Sequence, residues 1–372
     1  MSLVGDHIAS LKPYEPGKPI EEVERELGIT GSIKLASNEN PLGPSPAAIE
    51  ALREHAAGVH IYPDGGAFRL KQALSEFHGI SADEIVTGNG SNEVLELVVR
   101  TFCEPGDSAV ISDYSFIAYR LILQAANVEV RSVPMADGLV HELEAMADAV
   151  DETTKVVFVA NPNNPTGTHV GRAALERFLR AVDERVVVVL DEAYVEYVQA
   201  EDWASGVDLR DLRERLVVCR TFSKCYGLAG LRVGYGIAPP DLVDYVNRVR
   251  EPFNCNLLGQ YAAVAAIGDQ GFVERSVASN EAGRAQLEKG LADLADLGVR
   301  WTPSQTNFLL VETPRHGREV YDAMLRRGVI VRPVGGYGLH DYLRITIGTR
   351  EQNQKCLDAL TKSVGGGEHA PG

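Results

Sequence analysis

The segment VVVVLDEAY, residues 186–194, carries most of the information about the fold. Its apolar run contains no polar residue before Asp191, as is typical of a strand buried on both faces of a parallel sheet. Ligands of open parallel sheets bind at the carboxyl ends of the strands, where Asp191 should lie. An aspartate at a strand end also often only caps the next turn, so this segment alone leaves both roles open.

Further apolar runs lie on either side of this segment, at residues 108–112, 156–160, 216–219 and 233–238. Amphipathic helical patterns separate several of them, at residues 92–102, 116–126 and 172–182. Alternating strands and helices predict an α/β architecture with right-handed crossovers.

The remaining sequence predicts a second, smaller α+β domain, because 372 residues exceed what one core usually serves. It combines helices at residues 272–297, 320–327 and 351–362 with strands at 307–312, 329–333 and 343–347. Prolines exclude a regular helix around residues 13–19 and predict an extended arm there. We expect an arm over residues 1–39 that joins the small domain or a partner, a large domain over 40–262, a small domain over 263–364 and a flexible tail over 365–372.

Composition narrows the class of protein. A net charge of −16 without a basic run argues against nucleic-acid or anionic-membrane binding. The five dispersed cysteines indicate reduced thiols, and the nine histidines show no metal-binding pairing, so we expect no metal site. With no signal-peptide pattern and no apolar run of about 18 residues, the sequence predicts a cytoplasmic protein.

A lysine follows one predicted strand in the segment RTFSKCYGLAGLR, residues 220–232. Burying an unpaired ammonium group at such a place costs free energy. A lysine amine that is covalently bound as an imine avoids this cost. Thr221, Ser223 and Arg232 offer donors for a phosphate beside the amine of Lys224.

Two further segments offer cofactor contacts. In NPNNPTG, residues 161–167, side-chain amides could bind a ring oxygen, or the prolines could simply fix a turn. In GNGSNE, residues 88–93, small residues open a helix whose N–H groups and dipole favour phosphate. An ordinary N-cap would explain the second pattern equally well.

The order of these segments resembles the fold-type I pyridoxal-phosphate aminotransferases. Within them the chain looks most like the histidinol-phosphate aminotransferase group, which includes relatives acting on aromatic amino acids. The resemblance covers Tyr14 to about Leu360. It implies a large α/β domain with a mostly parallel sheet, a smaller α+β domain, and pyridoxal 5′-phosphate as the cofactor.

The resemblance also implies roles around the cofactor ring. Lys224 would be the Schiff-base lysine and the proton shuttle, and Asp191 would pair with the ring nitrogen. Asn164 and Tyr194 would bind the phenolic oxygen. An aromatic side chain would stack on the ring; we align Phe116 there, with Tyr114 as the alternative.

Further implied contacts concern the phosphate, the partner and the substrate. The phosphate would be bound by the group of residues Gly90, Ser91, Asn92, Thr221, Ser223 and Arg232. Tyr62 resembles a tyrosine that reaches the phosphate from the neighbouring subunit, which implies a homodimer with shared active sites. For the substrate, Arg344 would bind a carboxylate and Arg332 a phosphate group, unless Arg332 is only a strand-end surface residue. Tyr14, on the arm, and Asn38 would contribute from the second subunit or a lid.

The implied activity is ping-pong transamination with glutamate and 2-oxoglutarate. Histidinol phosphate, an intermediate of histidine biosynthesis, is the expected substrate, because two arginines suit a phosphate ester. The Gly-rich, aromatic stretch 333–339 would equally suit phenylalanine or tyrosine. A pyridoxal-phosphate decarboxylase or lyase, or a non-enzymatic regulator with this fold, remains an alternative; regulators usually lack the lysine.

Overall fold

The computed structural model describes residues 3–13 and 17–365. Its helices are α1 Asp6–Ala9, α2 Ile20–Leu27, α3 Pro46–His55, α4 Phe68–His78, α5 Ser91–Phe102, α6 Ile117–Ala125, α7 Leu143–Asp148, α8 Arg172–Ala181, α9 Pro240–Val249, α10 Leu257–Gly268, α11 Gln270–Ala292, α12 Gly317–Leu325 and α13 Arg350–Val364. Its strands are β1 Ile33–Lys34, β2 Ile85–Gly88, β3 Ser108–Ser112, β4 Glu129–Val133, β5 Thr154–Ala160, β6 Val187–Asp191, β7 Leu216–Thr221, β8 Gly234–Ile237, β9 Arg300–Trp301, β10 Phe308–Glu312, β11 Val329–Ile330, β12 Arg332–Pro333 and β13 Tyr342–Thr346.

The main sheet has the strand order β2-β8-β7-β6-β5-β3-β4 in the described part of the chain. Strands β7, β6, β5, β3 and β4 run parallel, and β8 runs antiparallel to both of its neighbours. In the central strand β6, Val188 and Leu190 belong to the core on one face, and Val187 and Val189 to the core on the other. The predicted mostly parallel, doubly covered α/β sheet is confirmed.

The antiparallel pairing of β7 with β8 explains how two cationic residues come together. Thr221 pairs with Gly234, so residues 222–233 form a loop that turns back instead of crossing over the sheet. Lys224 lies near the start of this loop and Arg232 at its end, where Arg232 adopts a left-handed backbone with φ 55°. Both side chains therefore start from the same edge of the sheet.

A second sheet, in the order β12-β13-β10-β9, forms a separate core with α12, α13 and the end of α11. Val23 and Leu35 from the N-terminal region pack into this core. The predicted continuous strand over residues 329–333 was wrong: β11 pairs with β1, whereas β12 pairs with β13. The predicted domain boundary between residues 262 and 263 falls within α10 and stays a prediction.

A buried ion pair joins the ends of the two strands that carry the candidate site residues. Arg220, at the end of β7, donates to Glu192 Oε2 from Nη2 at 2.8 Å and from Nε at 3.1 Å. Ser205 donates to the same oxygen at 3.0 Å, and the two charged side chains are 10% and 2% exposed. Because Glu192 directly follows Asp191, this pair fixes the spacing of β6 and β7 where the site begins.

We expect Glu192→Ala to lower the free energy of unfolding by about 3–5 kcal/mol, because it leaves the Arg220 guanidinium buried without its partner. Denaturant unfolding followed by circular dichroism measures the change. Asp244→Ala is the matched control, since Asp244 pairs with Arg248 in solvent and should contribute less than about 1 kcal/mol. Equal losses in the two variants would contradict a stabilising role for the buried pair.

Candidate active site

A cavity of about 510 Å³ lies at the carboxyl ends of β5, β6 and β7, facing β13. Residues from widely separated parts of the sequence line it: Ser37, Asn38, Ser91, Asn92, Phe116, Ile117, Ala118, Leu121, Ala160, Pro162, Asn164, Asp191, Ala193, Tyr194, Thr221, Ser223, Lys224, Arg232 and Arg344. Most residues proposed from the sequence therefore share one cavity, at the sheet edge where ligands of parallel sheets bind.

Asp191 ends β6 and is 5% exposed. Its Oδ1 accepts from the backbone N–H of Ala193 at 3.2 Å, and its Oδ2 accepts from the Tyr119 hydroxyl at 2.8 Å. Burial raises the pKa of the Asp191 carboxyl to about 6, although both hydrogen bonds oppose the rise. A carboxylate in this setting is well placed to pair with a cationic nitrogen.

Lys224 places its amine in the same cavity. Its Nζ donates to the backbone oxygen of Ser37 at 3.2 Å and lies 5.7 Å from the centre of the Tyr194 ring. Burial, with help from the nearby Arg344 charge, lowers the pKa of Lys224 to about 8. A buried amine with a depressed pKa carries more of the neutral, nucleophilic form near neutral pH.

Two further polar side chains of the cavity each have one hydrogen-bonding site already occupied. The Tyr194 oxygen accepts from Asn38 Nδ2 at 2.9 Å, and the Asn164 oxygen accepts from Arg344 at 2.7 Å. The Tyr194 hydroxyl proton and the Asn164 NH₂ group remain as donors. Two donors facing one cavity suit a phenolate-like oxygen.

Donors for a phosphate gather at the other end of the cavity. Ser91 begins α5, and Arg232 Nη1 donates to Ser223 Oγ at 3.2 Å. Gly90 precedes the helix at φ 81°, and a Cβ there would lie only 2.4 Å from Arg232 Nη2. Gly90 thus lets the guanidinium lie against the helix N-terminus, a favourable position for an anion.

The two aromatic candidates for stacking lie in different places. Phe116 lines the cavity, whereas Tyr114 packs into a small apolar cluster with Val334, Leu339 and Tyr337. The geometry therefore favours Phe116 over Tyr114.

The two arginines proposed for the substrate lie on neighbouring strands. Arg344 is 6% exposed and lines the cavity; it also donates to the backbone oxygen of Ala36 at 2.7 Å. Arg332 is its register partner across β12 and β13, so both side chains share one face of the sheet, but Arg332 does not line the cavity.

The structure places the predicted residue Tyr62 outside this cavity. Tyr62 is 78% exposed, stacks on Phe253 at 4.8 Å between ring centres, and lines a second surface cavity. Tyr62 therefore does not reach the active-site cavity of its own chain. Tyr14 lies outside the described residues.

Several contributing residues escaped the sequence analysis. Tyr119, behind Asp191, carried no motif, and neither did the Ser37 carbonyl that accepts from Lys224. Glu192 was visible in the sequence, but its pairing with Arg220 depends on the order of the strands. Tyr119 lies three residues after Phe116. The only sequence signal for its role was its phenol group, which can donate a hydrogen bond.

Comparisons with known proteins agree with this geometry. Residues 30–360 match the family model described as aminotransferase class I and II. A histidinol-phosphate aminotransferase of Anaeromyxobacter sp. strain Fw109-5 is 50% identical over 98% of this chain and 100% of its own length. One of Pseudomonas aeruginosa is 49% identical over 97% of this chain and 98% of its own.

Among solved structures, the histidinol-phosphate aminotransferase of Sinorhizobium meliloti in complex with pyridoxal 5′-phosphate superposes with a TM-score of 0.88. It is 28% identical and covers 98% of both chains. An aspartate aminotransferase of Thermus thermophilus, 22% identical with a TM-score of 0.83 over 98% of this chain and 100% of its own, shares the fold. With a family model that spans most of its length and relatives near half identity, the chain belongs to the aminotransferase class I and II family.

Proposed function

We propose that this enzyme transfers the amino group of histidinol phosphate to 2-oxoglutarate, using pyridoxal 5′-phosphate. The observation that carries this proposal is that Lys224, Asp191 and Arg232 line a single cavity of about 510 Å³. The names of relatives at about half identity support the choice of substrate. A cytoplasmic location remains a prediction; no described helix is long and apolar enough to cross a bilayer.

The residues of the cavity fit the cofactor. An amine, a carboxylate and a guanidinium are what an aldehyde, a pyridine nitrogen and a phosphate require, and all three line the same cavity. Gly90 leaves the space beside Arg232 that a Cβ would fill. The buried Nε of Arg344 has no hydrogen-bond partner among the described residues, so a ligand oxygen would satisfy it.

Bound in this way, pyridoxal phosphate supplies an electron sink for the bond broken at the substrate Cα. The residues of the chain do the rest. Asp191 would hold the protonated ring nitrogen, Asn164 and Tyr194 would donate to the phenolic oxygen, and Phe116 would lie against one face of the ring. Lys224 Nζ would be the group that takes up and returns the substrate Cα proton.

Two arginines, Arg344 and Arg332, recognise the substrates. In the glutamate half-reaction, the fork of Arg344 binds the α-carboxylate bidentately. In the other half-reaction, Arg332 binds the phosphate ester of histidinol phosphate; its place beside Arg344 on the sheet and beside Gly17 of the arm supports this role. The competing aromatic substrates depended on residues 333–339; neither these residues nor Arg332 line the cavity, so the names of the relatives carry the choice of substrate.

Steady-state kinetics with 2-oxoglutarate as acceptor test the substrate choice. We expect a much higher kcat/KM for histidinol phosphate than for phenylalanine or tyrosine, because only the phosphate ester gives Arg332 a dianion to bind. The reverse order would identify an aromatic aminotransferase, and release of carbon dioxide would identify a decarboxylase.

Arg332→Met sharpens that test. Loss of a charge-assisted hydrogen bond predicts a fall of roughly 10- to 100-fold in kcat/KM for histidinol phosphate. The glutamate half-reaction should stay close to wild type, since its carboxylate is assigned to Arg344. If the rates of both half-reactions fall equally, Arg332 does not act selectively on histidinol phosphate.

The depressed pKa of Lys224 predicts how cofactor attachment depends on pH. Only the neutral amine attacks the aldehyde, so the attachment rate should rise with pH and level off with a midpoint near 8. A solvated lysine would give a midpoint near 10.4. Stopped-flow absorbance after mixing apoenzyme with pyridoxal phosphate measures the rate.

The scan should run from about pH 7 to about pH 10, above the second pKa of a phosphate ester, so that the phosphate charge stays constant. Lys224→Ala is the control and should show no such phase. A midpoint above pH 10 would mean that the amine is not buried as described.

We further propose a homodimer in which Tyr62 reaches the phosphate of the neighbouring subunit. Tyr62 does not line the active-site cavity of its own chain; it stacks on Phe253 and lines a surface cavity with Ile61 and Phe68, and all four side chains are exposed. Contiguous apolar surface of this kind is typical of an interface.

Mixed dimers test the shared site. Lys224→Ala and Tyr62→Ala chains carrying different tags are co-expressed, and the heterodimer is purified through both tags. One of its two sites then combines Lys224 of one chain with Tyr62 of the other. We expect this site to bind cofactor and turn over like a wild-type site, giving about half of wild-type activity per heterodimer.

Each homodimeric parent is the control. If the heterodimer only averages the two parents, Tyr62 serves its own subunit. If no heterodimer forms, the chain is not a dimer.

A further inference from the structure

Tyr119 is a buried tyrosine to which the proposed mechanism gives no task. It lies in the first turn of α6 and is 0% exposed. Its hydroxyl donates to Asp191 Oδ2 at 2.8 Å, across 72 positions of sequence. It does not line the cavity, so its contact with the site runs through Asp191.

Packing fixes the ring of Tyr119. One face stacks on Phe158 of β5, with ring centres 4.8 Å apart and planes 15° from parallel. Phe116 makes an edge contact with it at 5.7 Å and 87°. Since the ring is held on two sides, the hydroxyl cannot turn away from Asp191 without disturbing the aromatic cluster.

We propose that Tyr119 is a positioning residue that holds Oδ2 of Asp191, so that Oδ1 is presented to the ring nitrogen of the cofactor, and that supports Phe116 against the ring face. This inference rests on the proposed function. Tyr119 acts only through these two neighbours and touches neither substrate nor cofactor.

The hydrogen bond from Tyr119 changes the pKa of the Asp191 carboxyl, and this change can be measured. Burial raises the pKa of Asp191 to about 6, and donation from Tyr119 is the largest opposing influence. Burial and the nearby carboxylate raise the pKa of Tyr119 itself well above its ordinary value, so it stays a donor. The titratable groups around Asp191 are Tyr119 of α6, Cys219 of β7, Lys224 of the following loop, and Glu192 and Tyr194 after β6.

The sign of the pH effect follows from the ion pair. Below the pKa of Asp191, the neutral carboxyl has to release its proton before it can pair with a protonated ring nitrogen. Cofactor affinity therefore falls as the pH falls through that pKa. Removing the donor destabilises the carboxylate, which raises the pKa of Asp191 and moves this fall to higher pH.

The experiment compares Tyr119→Phe with wild type for two ligands, pyridoxal phosphate and its analogue in which a C–H group replaces the ring nitrogen. Tryptophan fluorescence of the apoenzyme reports both affinities across pH. We expect roughly tenfold weaker binding of pyridoxal phosphate, the size of one hydrogen bond to a charged group. The analogue cannot pair with Asp191, so its affinity should change little.

Tyr235→Phe is the control for loss of a buried tyrosine hydroxyl, because this hydroxyl contacts His78 at 2.9 Å and Arg220 but not Asp191. It should bind both ligands like wild type. Thermal unfolding checks that each variant folds. Incorporating 3,5-difluorotyrosine at position 119 keeps the shape and strengthens the donor, so the acidic fall should move to lower pH even if Tyr119→Phe does not fold.

Four outcomes would overturn the inference. Equal weakening of both ligands would show a general packing role, and an unmoved acidic fall in both position-119 variants would show that the hydroxyl does not act on Asp191. If wild type binds neither ligand, the proposed function falls and this inference falls with it. If the wild type catalyses transamination and Tyr119→Phe leaves the pH dependence of cofactor affinity unchanged, this inference is wrong but the proposed function stands.

Discussion

The buried carboxylate of Asp191 is the constraint on which the rest of the site depends. Asp191 is only 5% exposed, so its carboxylate charge is stable only where neighbouring groups donate hydrogen bonds to it or carry a positive charge. The chain meets this requirement with a backbone N–H, the Tyr119 hydroxyl and a cation within reach, and it leaves one direction open towards the cavity. Under the proposed function, a protonated ring nitrogen would complete the pair from that direction.

The fold supplies this arrangement through strand order. Parallel strands β5, β6 and β7 end at one edge and bring Asn164, Asp191 and Lys224 within one cavity. The antiparallel return of β8 then brings Arg232 back to the same edge, beside the start of α5. The buried pair of Glu192 and Arg220 ties the strand ends together, so stability and function share one set of contacts.

Sequence reasoning predicted the features that local pattern determines. The all-apolar run before Asp191 identified a doubly buried strand, and the lysine after a strand, with hydroxyls and an arginine nearby, predicted a set of side chains that line one cavity. It did not predict contacts that depend on packing between distant segments. Tyr119 meets Asp191 over 72 positions and Arg344 meets Asn164 over 180, and no periodicity encodes such meetings. Likewise, the short strands at 329–333 were merged because neither is long enough to show a period of its own.

The most direct measurement locates the cofactor on the chain. Protein incubated with pyridoxal phosphate is treated with borohydride, which turns a lysine–cofactor linkage into a stable bond, and the digested peptides are analysed by mass spectrometry. A phosphopyridoxyl group on the peptide containing Lys224, in one copy per chain, is the predicted result. A label on other lysines with Lys224 unmodified, or no label at all, would contradict the convergence of Lys224, Asp191 and Arg232 on one cofactor.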